Sequence, residues 1–183
     1  MGSLAGKKIL VVVGQRNYNF REFDYLSNQL SEAGALVSVA SNSLDRALGR
    51  LEGFVVPDLA IADAPVEDFD AVVVVGGYGA YMFLWHDKAL HTLLQKASQA
   101  GKIIAGASVA AAALASAGIL KGKKATVYPD YKANVIFMEN GVEYIHEHVV
   151  VSDNIITSSD PRHVAEFTEK ITEKLSGVYE QES

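Results

Sequence analysis

The chain of 183 residues contains no cysteine. Disulfides, thiolate metal centres and a cysteine nucleophile are excluded with it. Cationic clusters are also missing. Lysine and arginine number 16 against 22 acidic residues, a formal net charge of −6, and nowhere form a dense basic block. A phosphate backbone would find no electrostatic footprint, so nucleic acid is not an expected partner. No apolar run approaches the roughly 20 residues needed to span a bilayer. Met1 to Gly6 shows neither a signal-peptide core nor the hydroxyl residue that myristoylation wants at position six, so the expected location is cytoplasmic, with no membrane partner. Proline is scarce, at four residues, and no repeat or low-complexity linker divides the chain. One domain over 7–175 with a polar tail at 176–183 is the expected organisation.

What is present is 49% hydrophobic and patterned. Lys8 to Val13 and Ala71 to Val75 are short, continuously apolar and β-branched, as strands buried on both faces of a parallel sheet are. Ala35 to Ala40 and Ile103 to Ala107 also read as strands. Helical stripes lie between them: Phe20, Phe23, Leu26, Leu30 and Ala33 up to Gly34; Leu90, Leu93, Leu94 and Ala97 behind a capping Asp87; and Val164, Phe167, Ile171 and Leu175 after Asp160-Pro161. Ala110 to Ala117 is a further helix, stopped by Gly118. Residues 44–68 are expected to hold short strands or a hairpin, and Val149 to Thr157 an edge hairpin around Asp153-Asn154. Alternating strands and helices predict an α/β fold: a doubly wound, flavodoxin-like parallel sheet with helices on both faces.

Two strand ends carry the chemical signal. Ser108 is the one polar side chain where the strand ending at Ala107 turns into an alanine-rich helix, the corner at which α/β folds display a nucleophile. Serine is also a preferred helix N-cap, and capping is the favoured reading of Ser108. Gly76-Gly77 ends the neighbouring strand. In open α/β sheets ligands sit beyond such carboxyl ends, so N–H groups of Gly77 and Val109 are candidates for an oxyanion hole around a carbonyl attacked by Ser108.

At these residues the sequence resembles the PfpI/DJ-1 superfamily. The resemblance is carried by Val74-Val75-Gly76-Gly77, Leu84-Trp85-His86-Asp87, Gly101-Lys102, the run from Ala117 to Thr126, and Val149 to Ser158. It implies a flavodoxin-like sandwich, usually a homodimer, with a cysteine at the elbow. Where the family has that cysteine this chain has Ser108, followed by Val109-Ala110-Ala111. A hydroxyl of pKa far above neutrality forms no stable anion and cannot be oxidised as a thiol can. The resemblance also implies a glutamate near the nucleophile, which falls on Glu22, or by an ungapped count on Asn19, and a wall position that falls on Tyr128. Glu22 also fits a capping box with Asn19, and Tyr128 fits a core aromatic.

His146 and His148, with Glu143 and Glu147, form the metal-like pattern of the chain, but a solvated strand is the preferred reading and neither metal nor cofactor is expected. His86, His91 and His163 lack a recognisable partner for a Ser-His-Asp triad. The expected protein thus keeps the elbow pocket without thiol-dependent peptidase, glyoxalase or deglycase activity. It would bind a small carbonyl-containing ligand or serve a stress-related chaperone role, with a serine hydrolase based on Ser108 as the alternative. Tyr18, Tyr81, Phe83 and Trp85, outside the regular stripes, are expected to meet a second copy of the chain.

Overall fold

A computed structural model describes residues 4–178; residues 1–3 and most of the expected tail, 179–183, lie outside it. The chain opens with β1 (Lys8–Val12), β2 (Arg16–Tyr18), α1 (Phe20–Glu32) and β3 (Leu36–Ser41), then β4 (Ala47–Gly49), β5 (Phe54–Val55) and β6 (Leu59–Ala60). It continues through β7 (Ala71–Val74), α2 (Tyr78–Phe83), α3 (Lys88–Gln99), β8 (Ile103–Gly106), α4 (Ala111–Ser116) and β9 (Lys124–Ala125). The last elements are α5 (Tyr131–Glu139), β10 (Glu143–Tyr144), β11 (Val149–Ser152), β12 (Ile155–Ser158) and α6 (Val164–Ser176).

Seven strands form one sheet in the order β11-β12-β8-β7-β1-β3-β6. Within this sheet only the β11–β12 pair is antiparallel. The alternation of side chains along each strand divides the core in two. Leu10, Val12, Val72 and Val74 share a core with α3 and α4, which α5 extends, whereas Ile9, Val11 and Val73 share one with α1 and α6. Both faces are covered, which explains why the central strands are apolar without a break.

The local signals act as expected at most ends. Asp87 Oδ1 accepts from the Ala89 and Leu90 N–H groups at the start of α3. Asp160 accepts from Arg162 N–H, Pro161 opens a 3-10 turn, and α6 follows it, ending at Gly177 in the left-handed region. The hairpin expected in 44–68 is β4–β5, which joins β2 in a separate three-stranded sheet. The second hairpin is not wholly at the edge: β12 pairs with β8 inside the sheet, and only β11 is outermost. The short α2 and the whole of α5 were not legible, because α5 mixes apolar residues over its surface and shows no single stripe.

Candidate functional site

β7 and β8 are parallel neighbours, with Val74 opposite Gly106, so Gly76-Gly77 and Ser108 emerge side by side from their carboxyl ends. Gly76 has no room for a side chain: a Cβ there would stand 2.7 Å from Ala107 O, 3.0 Å from Glu22 Oε1 and 3.1 Å from Ser108 Cβ. Gly77 adopts φ 95°, and a Cβ there would meet Asn19 N at 2.4 Å. Glycine at both positions is what lets two strand ends and the start of α1 converge.

Ser108 caps no helix. It has φ 56°, in the left-handed region, and is 3% exposed; Ala107 is the residue that precedes the 3-10 turn Ser108–Ala110, and no side chain caps it. An N-cap residue has extended backbone, so the left-handed turn rules out the capping reading. Such a backbone costs roughly 1–3 kcal/mol for a non-glycine residue and persists only where its surroundings hold it. Here Ser158 Oγ accepts the Ser108 N–H at 3.2 Å, and Ser108 O accepts from Tyr128 N–H at 3.4 Å. Trp85 Nε1 donates to Val109 O at 2.8 Å, fixing the next peptide.

Glu22 reaches the same point from α1. Its backbone N–H donates to Asn19 Oδ1 at 3.2 Å, one half of a capping box. The reciprocal half is missing: Asn19 N–H donates to Gly76 O at 2.9 Å, and the Glu22 carboxylate turns inward, where Oε1 accepts the Gly76 N–H at 2.6 Å. Both polar groups of Gly76 are therefore spent on holding Asn19 and Glu22, and Gly76 has no N–H to offer a ligand. Glu22 is 2% exposed and its Oε2 is buried without a partner. Burial pushes its pKa up to about 7, against the lowering effect of the Gly76 N–H, and the Asp160 charge adds to the rise. A carboxyl that is about half protonated at neutrality can hold or accept a proton beside Ser108.

Ser108, Gly77 and Val109 line a cleft of about 420 Å³. Tyr128 joins them at its wall, 39% exposed, so it is not the core aromatic of the alternative reading. Asn19 is there too: the structure brings both candidates for the family glutamate to the site, with the carboxylate on Glu22. Arg50, Asp130 and Lys132 add charge to the rim, and Lys132 Nζ donates to Tyr81 OH at 2.7 Å. Sequence reasoning missed these three, since only the fold brings them to the cleft, and it did not foresee that Ser158 Oγ would accept the Ser108 N–H or that the Asp160 charge would bear on Glu22.

Two further expectations are corrected. Tyr18 is fully buried and Trp85 2% exposed within the chain's own core, with Tyr81 and Phe83 half-buried, because these rings pack on one another and on the core. His146 and His148 do not sit on a strand: residues 145–148 form an irregular link, with His146 against Tyr144 and His148 stacked on His163.

The sequence and the fold have counterparts. The family model for the DJ-1/PfpI family matches residues 7–174. The chain is 32% identical over 158 residues to the dj-1beta protein of Drosophila melanogaster, covering 85% of this chain and 83% of that one. It is 33% identical over 140 residues to a deglycase of Pyrococcus horikoshii, covering 76% and 82%. The crystal structure of a ThiJ/PfpI domain protein from Brachyspira murdochii superposes with a TM-score of 0.87 at 28% identity, covering 96% of this chain and all of that one. With the sheet order, the elbow and these matches together, the chain belongs to the DJ-1/PfpI family.

Proposed function

We propose that this family member keeps the ligand cleft of its relatives and has given up their thiol chemistry, so that it binds small carbonyl compounds without converting them by a thiolate. The observation that carries this reading is the hydroxyl of Ser108, held at φ 56° beside the buried Glu22 in an open cleft. The relative named a deglycase supports a carbonyl-bearing ligand. A hydroxyl supports hydrogen bonding to such a ligand but not the nucleophilic anion a thiol gives near neutrality. Arg50 and Lys132 at the rim favour a ligand that also carries a carboxylate.

Trp85, the single tryptophan, borders the cleft and reports on it. Titration with pyruvate is expected to change its fluorescence saturably, and Tyr128→Ala to weaken the response. A response that stays linear to high concentration, or is unchanged by Tyr128→Ala, would count against the cleft as the binding site.

The strained elbow also favours a second reading, a serine hydrolase in which Ser108 attacks a carbonyl, Gly77 and Val109 N–H groups hold the oxyanion, and ionised Glu22 accepts the proton. A fluorophosphonate reagent separates the two: labelling at Ser108 supports the hydrolase, and no labelling supports the binder.

The protein is further proposed to be a cytoplasmic homodimer. Leu48, Leu51, Phe54 and Val56, exposed around the β4–β5 hairpin, are the surface that supports self-association.

A further inference from the structure

A second group of ligating side chains lies where the chain returns from β12 into α6. His148 stands at the bend before β11, His163 ends the 3-10 turn Pro161–His163, and Glu166 lies in the first turn of α6. One ligand atom from each, two imidazole nitrogens and a carboxylate oxygen, lie within 4.8 Å of one another. The two rings are stacked, with centroids 3.8 Å apart and planes 12° from parallel. His148 and Glu166 are exposed and line a shallow depression with His146, Glu147 and Val149, whereas His163 is half-buried and lines a second depression that His148 shares.

Nitrogen lone pairs lie in the plane of an imidazole, so stacking leaves them unused at the ring edges. Two imidazoles and one carboxylate are a donor set for borderline divalent ions, zinc above all. Bonds of about 2.0–2.1 Å in tetrahedral geometry would put the ligand atoms about 3.4 Å apart. The ligand atoms now lie within 4.8 Å of one another, so the side chains must rotate out of the ring stack to close on an ion. Ser159 N–H donates to His148 O at 2.9 Å, which already holds the two segments together. The neighbouring cation Arg162 is paired with Asp160, leaving its charge compensated.

We propose that His148, His163 and Glu166 form a site for a divalent first-row transition ion, best matched by zinc, with its remaining positions filled by water. The ion would tie the link before β11 to the start of α6. Pro161, in the same turn as His163, lines the cleft, so the site borders the ligand pocket without sharing its residues.

Calorimetric titration of the intact chain with zinc chloride tests this, with cobalt(II) absorption as a spectroscopic check. One equivalent is expected to bind, and His163→Ala and Glu166→Gln should each weaken it about tenfold or more, while His146→Ala leaves it within about twofold. Zinc should also raise the melting temperature of the wild-type chain, and that of Glu166→Gln by clearly less at the same concentration, a readout that survives even if His163→Ala fails to fold. No saturable binding, or binding that Glu166→Gln leaves intact, would overturn the proposal. Equal loss on His146→Ala would assign the ion to the His146–His148 link instead and overturn it as well.

Discussion

Ser108 and Glu22 owe their properties to where the backbone places them. A left-handed backbone costs a residue with a Cβ more than it costs glycine. Ser108→Gly is therefore expected to be more stable than Ser108→Ala, by about 1 kcal/mol in urea denaturation; equal stabilities would mean the elbow stores no strain. Glu22 makes the opposite kind of demand. Its folded pKa of about 7 lies above the ordinary 4.5, so between those values the folded chain keeps a proton that the unfolded chain has lost. Stability must then fall as pH rises from about 4.5 to 7, by up to about 3 kcal/mol from this group, and flatten above. Glu22→Gln, which keeps an acceptor for Gly76 N–H, should remove that fall; denaturation midpoints that still drop by the same amount would place the titration elsewhere. Ser108→Cys probes the same surroundings, and mild peroxide is expected to add one or two oxygens to the new thiol. A thiol that stays unoxidised would show that the elbow does not activate it.

At the scale of elements, the site exists because β7, β8 and the start of α1 converge with no space between them. Gly77→Ala places a Cβ against Asn19 N at φ 95°, and is expected to cost about 2–4 kcal/mol and to abolish the Trp85 response to pyruvate. Unaltered stability would contradict the close approach. The buried strands, α1, α3 and α6 were legible because each is a clean periodic pattern with a cap or a glycine stop. Ser108 was legible as a corner residue but was misread as a cap, since the sequence does not display the sign of φ. The direction of the Glu22 carboxylate was equally hidden: its spacing from Asn19 fits a capping box, and what draws it away is a Gly76 N–H 54 residues distant. Ser158, Asp160 and Arg50 depend wholly on tertiary packing.

For the whole molecule, two cores on opposite faces of one sheet leave the β4–β5 hairpin projecting with Leu51 98% exposed. Light scattering at micromolar concentration is expected to give twice the chain mass of 19.6 kDa, and Leu51→Asp with Phe54→Asp to shift it to one. A single-chain mass that persists as concentration rises would contradict the dimer. We propose that the family cleft survives here without its thiol chemistry. Methylglyoxal consumption by the wild-type chain, compared with Ser108→Ala, tests it most directly. Only the same trace rate is expected for both; turnover by the wild-type chain that Ser108→Ala abolishes would contradict that reading.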